Sequence, residues 1–299
     1  MKFKSKQYGI TLVEIIIVIA IMGIIGGLST MIIGRSLDSY AALERRTNLQ
    51  TSIRLAVERI SRELRHALPH SICVNSGGAC TASGNRFYFI PVKDSGRYQD
   101  RPGAYVGGPA ILRDHLPVSP QSRDRFDVLS TNSVNRINAV AEDWVVVYNL
   151  DNSTIYAVPN NVRNQINTVT LRDISNTASI LDDIDQIEFS DNSGGTTATN
   201  QSFTNHSPSR RFHIVDNTNQ VTLFSFDAVT GNLTRDTTNF ANPNTAANPR
   251  LLMQNVQACT FTYTPGSAQR AGLLRIDLTV AIQGETIQVI HDAHVYNTP

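Results

Sequence analysis

Cysteine is scarce in this 299-residue chain. Cys73, Cys80 and Cys259 are too few for a disulfide-stapled miniprotein and lack the Cys-x-x-Cys spacing of a zinc ribbon, so at most one bridge forms. An excess of one charge is missing too. With 26 Lys and Arg against 25 Asp and Glu, the chain has no overall field that draws nucleic acid. No G-x-S-x-G, P-loop or dinucleotide fingerprint is present, and no internal repeat. A composition of 41% hydrophobic and 17% charged residues excludes a disordered tail and provides the core of one large or two small domains.

What is present is concentrated at the start. The first nine residues, MKFKSKQYG, hold three lysines and no acid, which leaves the rest of the chain mildly acidic. Residues 10–33, ITLVEIIIVIAIMGIIGGLSTMII, contain a single charge, Glu14. At about 1.5 Å per residue this run spans a hydrocarbon core of ~30 Å. The lysines before it predict a cytoplasmic start and an exported body, although Arg35, Arg45 and Arg46 follow the apolar run. An ordinary secretory signal places its small residue after the apolar run, whereas Gly9 here precedes it. A carboxylate in lipid costs roughly 2.5–3.5 kcal/mol on insertion scales, so Glu14 calls for a partner.

The run Gly9-Ile10-Thr11-Leu12-Val13-Glu14 resembles the class III signal of the type IV pilin and pseudopilin superfamily. The resemblance implies that a prepilin peptidase cuts after Gly9 and methylates the amine of Ile10. It also implies assembly roles for Thr11 and Glu14, with Glu14 offsetting the first amine of a neighbouring subunit. A buried carboxylate and a buried ammonium become tolerable when paired. Two residues depart from the commonest pattern: Ile10 stands where Phe or Met is usual, and Met31 where many major pilins carry proline. Gly23, Gly26 and Gly27 offer another point of helix weakness, and Gly23 with Gly27 forms a G-x-x-x-G that either packs helices or is simply tolerated in a lone anchor.

Leu49, Ile53, Val57, Ile60, Leu64 and Leu68 recur at steps of 4, 4, 3, 4 and 4, the stripe of an amphipathic helix. Arg54/Glu58, Glu58/Arg62 and Arg59/Glu63 are i,i+4 pairs read as a solvated face. Pro69 ends the pattern, predicting helix over 10–68, about 90 Å at standard rise. Strands are predicted at 86–92, 144–150, 168–171, 186–190, 211–215, 221–226, 259–264, 273–282 and 286–291, with a turn at Gln283-Gly284-Glu285. Segments 191–209 and 236–249 read as surface insertions, and 93–136 as long loops. The expected fold is α+β: a leader (1–9), a transmembrane assembly helix (10–34), its amphipathic half (35–68), and a mainly antiparallel head (69–299).

A second, weaker resemblance runs through the helix segment AVERISRELR at 56–65, RFHIV at 211–215, the Phe226-Asp227 strand end with Thr230-Gly231-Asn232-Leu233, and the terminal HVYNTP. These are most similar to the MshO-type minor pilins of the mannose-sensitive haemagglutinin (MSHA) pilus.

Candidate chemistry elsewhere is thin. Cys73 and Cys80 flank a turn-rich loop and either pair with each other, or one pairs with Cys259, or all three remain thiols. His66 and His70 are separated by Pro69 and lack the adjacent Glu of a zincin helix. His291 and His294 fall on opposite faces of a strand. Asp182, Asp183, Asp185 and Glu188 lack an EF-hand's spacing and read as a solvated turn. Arg113, Arg123, Arg125 and Arg136 with Tyr98 and Tyr105 suggest a basic, aromatic patch, but Asp100, Asp114, Asp124 and Asp127 cancel it. No metal, cofactor or catalysis is expected, and nucleic acid is disfavoured as a partner. The expected partners are prepilin peptidase, other major and minor pilins, the inner-membrane assembly platform and the lipid bilayer. The functions weighed are a processed filament subunit of a pilus or a type II secretion pseudopilus, a tip-located adhesive or DNA-capturing head, and a membrane-tethered enzyme.

Overall fold

A computed structural model describes residues 9–99, 103–104, 112–114, 116, 118, 124–129, 134–157, 162–173, 183–189, 203–266 and 270–295. The chain divides into two compact units, Met1–Thr51 and Ser52–Pro299. In chain order the elements are α1 (Leu12–Leu64), β1 (Cys73–Asn75), β2 (Ser83–Gly84), β3 (Arg86–Phe89), β4 (Asp94–Arg97), β5 (Gly103–Ala104), β6 (Leu112–Arg113), β7 (Arg125–Asp127) and β8 (Trp144–Val147). They continue with α2 (Asn152–Tyr156), β9 (Arg163–Arg172), β10 (Ile184–Phe189), β11 (Arg211–Val215), β12 (Val221–Asp227), β13 (Asn232–Thr238), β14 (Arg250–Met253), β15 (Val256–Thr264), β16 (Gly272–Ile282) and β17 (Glu285–Val295). A long apolar helix followed by an antiparallel, sheet-rich head is the α+β class expected.

In the first unit the apolar run of α1 has no covered face. Ile15, Ile19, Ile24, Leu28 and Ile32 are all exposed, and a Cβ added at Gly23, Gly26 or Gly27 would meet nothing within 4 Å. In the second unit the last turns of α1 are one-sided. Ile53, Ala56, Val57, Ile60 and Leu64 are buried, while Leu55 between them stays 62% exposed. The helix stops at Leu64, four residues before the sequence boundary, because strand-like hydrogen bonding takes over. Leu68 N–H donates to Ile90 O (2.7 Å) and Val92 N–H to His66 O (2.7 Å). The stripe residue Leu68 is buried all the same, but outside the helix.

The head holds three larger sheets, ordered β1-β3-β12-β13-β14, β4-β11-β8-β9-β10-β7 and β17-β16-β15-β2, with β5 and β6 forming a separate pair. Every named strand pair among the described residues is antiparallel. In β8 both faces are covered: Val145 and Val147 join a core with Phe126, Ile187 and Phe212, while Val146 joins another with Leu68, Tyr88 and Leu223. A continuous apolar run is what such a central strand needs. Phe87 stacks on Phe224 (5.1 Å between centroids) and meets Phe261 edge-on (4.7 Å), joining the first and third sheets. Between β16 and β17 the turn is two residues, Gln283 (φ 48°) and Gly284 (φ 86°), with Ile282 opposite Glu285. Positive φ at both positions matches the twist of the strands it joins.

Several expectations need correction. Segment 93–136 is not only loop, since β4 and β7 within it form the two edges of the six-stranded sheet. β4 has no apolar alternation and is held by its backbone pairing with β11, where a Cβ on Gly96 would lie 2.6 Å from the Phe212 ring. β13 was not anticipated, and β17 runs on to Val295 with Ala293 and Val295 buried. Segment 236–249 begins inside β13 with a buried acid, Asp236, whose carboxylate accepts the N–H groups of Ala247 (2.5 Å) and Asn248 (2.9 Å).

Replacing Leu64, which is fully buried, with alanine is expected to destabilise the chain by about 2–5 kcal/mol. Leu55→Ala on the exposed face is expected to change stability by less than about 0.5 kcal/mol. Denaturant titration of both variants of the full chain in detergent checks the contrast.

Candidate functional site: the start of the long helix

The helix opens on a cap. Thr11 lies one residue before α1, and its Oγ1 accepts the N–H of Glu14 (3.3 Å), while its carbonyl accepts the N–H of Ile15 (3.3 Å). A threonine followed three residues later by a glutamate is the pattern of a capping box. That signal is legible in the sequence as Thr11 and Glu14, three residues apart. Its consequence is geometric: helix begins at Leu12, so Gly9 and Ile10 are exposed, non-helical backbone. The Gly9–Ile10 peptide bond is therefore exposed and outside regular secondary structure.

Gly9 owes nothing to the fold, because an added Cβ there meets no atom within 4 Å. Glu14 sits in the first helical turn, where the positive end of the helix dipole favours a carboxylate. Its side chain is exposed and has no partner among the described residues. Around it the surface is apolar: Leu12 is 74% and Ile10 72% exposed, with Val13 and Ile17 also uncovered. α1 is long and apolar enough to cross a bilayer, which with the signal motif fits single-pass anchoring. Gly23 and Gly27 lie on this uncovered helix, four apart on one face. Thr30 Oγ1 turns back to Gly26 O (2.8 Å), so its hydroxyl is satisfied without water. The leader residues 1–8 lie outside the described residues.

The other candidate sites dissolve into scaffolding. Cys73 and Cys80 are joined in a disulfide with Cα atoms 5.2 Å apart. Cys259, buried on β15, remains a thiol whose pKa burial, with Asp277 as a lesser cause, pushes up to about 12. Such a sulfur is a poor nucleophile at neutral pH. Asp185, expected in a solvated turn, is fully buried and bound by Arg136 (2.7 Å) and the Ile137 N–H (2.7 Å). Asp182 lies outside the described residues, as do Arg123, Tyr105, Asp100, residues 191–202 and residues 296–299. Tyr98 is fully buried, with its hydroxyl accepting the Ser207 N–H (2.7 Å), and Arg125 is held by Asp124 (2.9 Å). The basic, aromatic patch therefore does not assemble from the described residues.

Two contacts absent from the sequence reading tie the end of α1 to the head. Glu63, read as part of a solvated face, accepts from Arg235 of β13 at 2.9 Å as well as from Arg59 at 3.2 Å. Ser61 Oγ lies 2.9 Å from His291 Nε2. Asp292, next in sequence to that histidine, forms a two-pronged pair with Arg275 (2.8 and 2.9 Å) on the other face of β17, so it does not orient His291 as the acid of a nucleophilic triad would. His66 and His70 lie beyond the helix end, and His70 is in the left-handed region (φ 57°). Among the described residues no three His, Cys, Asp or Glu side chains converge as a metal site requires.

The disulfide closes a loop of sequence separation 7, for which chain-entropy arithmetic gives about 2.5 kcal/mol. Cys73→Ser with Cys80→Ser is expected to lower stability by about that amount, read as a fall in the denaturation midpoint that reductant reproduces in the unaltered protein.

Comparison with curated proteins and with solved structures finds no match to this chain. Residues 4–30 match the family described as the prokaryotic N-terminal methylation motif, which covers part of the basic leader, Gly9, Ile10, Glu14 and most of the apolar run and supports a type IV pilin-like or pseudopilin protein.

Proposed function

We propose that the chain is a minor pilin of an MSHA-type pilus. On this reading prepilin peptidase cleaves it between Gly9 and Ile10 and methylates the Ile10 amine. The subunit waits in the inner membrane with its start cytoplasmic and its head periplasmic, then enters the filament or primes its assembly with other pilins. The observation that carries this is the conjunction at the start of α1. A peptide bond free of secondary structure stands directly before a capped helix whose apolar surface is uncovered and whose first turn holds an unpartnered carboxylate. A lone membrane anchor needs the apolar surface but neither the carboxylate nor the exposed glycine. A subunit that exchanges lipid for neighbouring helices uses all three. The similarity of residues 56–65 and 211–215 to MSHA minor pilins supports the particular pilus. The role is structural rather than enzymatic.

Glu14 and Thr11 carry the assembly step. A carboxylate in lipid attracts a methylated ammonium on the next subunit, and pairing removes the penalty of both charges. Gly23 and Gly27 let the two helices approach.

Mass spectrometry of the native product is expected to find a chain beginning at methylated Ile10. A retained MKFKSKQYG leader or a different start contradicts the proposal. Gly9→Ala is expected to leave the fold intact, since the added methyl has open space, while stopping cleavage, seen as full-length precursor on a gel. Glu14→Ala is expected to be cleaved normally, yet to enter filaments on the order of a hundred-fold less, as loss of a buried charge partner worth about 3 kcal/mol implies. Quantitative immunoblotting of sheared filaments measures it.

A further inference from the structure

Just past the end of α1 a small pocket of about 190 Å³ is lined by Arg65, His66, Ser95, Arg211 and His213 among its polar residues, and no carboxylate lines it. His213 is fixed there by strand geometry. It sits in β11 between Ser95 of β4 and Val146 of β8, and its neighbours Phe212 and Ile214 turn to the opposite core. Both of its ring nitrogens are buried, and neither has a hydrogen-bond partner among the described residues. A buried imidazole that pairs with nothing is an anomaly in a native structure.

The arginines are equally uncommitted. Arg59, Arg125, Arg136, Arg172, Arg235 and Arg275 each hold a carboxylate, whereas Arg65 and Arg211 have no such partner among the described residues. The helix end nearby does not oppose a negative guest strongly. The carbonyls of Glu63, Leu64 and His66 are already taken by the N–H groups of His66, Ala67 and Val92.

We propose that this pocket binds a small tetrahedral oxyanion of the phosphate class, either free phosphate or the end of a phosphomonoester. Arg65 and Arg211 supply the charge, and His213, His66 and Ser95 the hydrogen bonds. Donors come from three segments, the helix end, β4 and β11, and an oxyanion with three or four oxygens can accept from all of them. The volume lies below the roughly 300–1,000 Å³ of drug-sized ligand sites and fits an ion. Two guanidiniums and the lack of an acid exclude a metal cation as the guest. Burial, and after it Arg211, depresses the His213 pKa to about 4, so the empty pocket holds a neutral ring. A bound oxyanion favours the protonated ring and raises that value.

The test is a histidine-resolved NMR titration of the full chain in detergent micelles at constant ionic strength. Added inorganic phosphate at millimolar concentration is expected to raise the His213 midpoint by about one pH unit or more, each unit being ten-fold in proton affinity. The double variant Arg65→Gln, Arg211→Gln is expected to bind phosphate at least about ten-fold more weakly. Both side chains are exposed, so its thermal midpoint without phosphate should match the unaltered protein. A parallel titration with glycerol 3-phosphate separates the sources: tighter binding than phosphate marks a monoester as the guest, weaker binding the free ion. His213 signals indifferent to phosphate, an equal response to sodium chloride, or an undiminished response in the double variant would each overturn the assignment.

Discussion

An apolar helix surface left exposed by the described residues is the constraint on which the rest of this molecule depends. Burial of one Ile, Leu, Val or Met side chain is worth about 1.5–3 kcal/mol. More than a dozen such residues stand exposed between Ile10 and Leu43. Their sum reaches tens of kcal/mol, beyond the 5–15 kcal/mol by which a whole domain is ordinarily stable. No rearrangement of the head repays that, so the surface has to be covered from outside, by lipid or by like helices. From Ile53 onward the same helix is one-sided, and its buried residues belong to the head. One continuous element thus meets two solvents, and the sequence marks the change by replacing all-round isoleucine with an apolar stripe.

Within the uncovered half, lipid and helix neighbours differ in one respect that Glu14 makes consequential. Lipid supplies no cation, so the carboxylate is penalised there, while a neighbouring subunit in the proposed filament supplies an amine. On the proposed reading the penalty works as a bias toward assembly rather than as a defect. Thr11 would serve the same bias, because its cap fixes where the helix begins and therefore how far Glu14 stands from the proposed cleavage point. Were the helix to start a turn earlier, Gly9–Ile10 would be wound into it and closed to a peptidase.

The long helix, the α+β class, the β16–β17 hairpin and strand β11 were legible because each is written locally. Periodicity, a Gln-Gly turn and a β-branched run need no distant partner to be recognised. β4 and β7 were not legible, since Asp94-Ser95-Gly96-Arg97 and Arg125-Phe126-Asp127 carry no alternation and exist as edges of a sheet defined elsewhere. The end of α1 was misjudged by four residues because Pro69 forbids helix but does not say where competing strand bonds begin. At the start of the helix, the Gly9 to Glu14 motif was plain as a linear pattern. The exposure of its peptide bond became visible only with the cap in place.

The acids show most clearly why composition misleads. Asp127 was read as cancelling nearby arginines, Asp185 as part of a solvated turn and Asp236 as the start of a surface insertion, yet all three are buried, as is Asp143. Asp143 accepts from Lys93 (2.7 Å) and from the N–H groups of Val140 and Asn217, and Asp127 accepts from Arg172 (2.9 Å) and Gln186 (2.8 Å). Their ionic partners stand 45 to 50 residues away for Asp127, Asp143 and Asp185, beyond the reach of any window along the chain. Asp143, Asp185 and Asp236 collect donors from segments that have little regular structure, whereas Asp127 is bound from strands β9 and β10. Replacing such a buried pair by apolar residues is often neutral for stability, so their effect is better sought in geometry: they fix where irregular loops join the sheets. A head with long non-repetitive connections needs that kind of anchor more than a larger apolar core would supply. Among the described residues His213 stands in this sheet with both ring nitrogens buried and unpaired, and in that it differs from Asp127, Asp143 and Asp185.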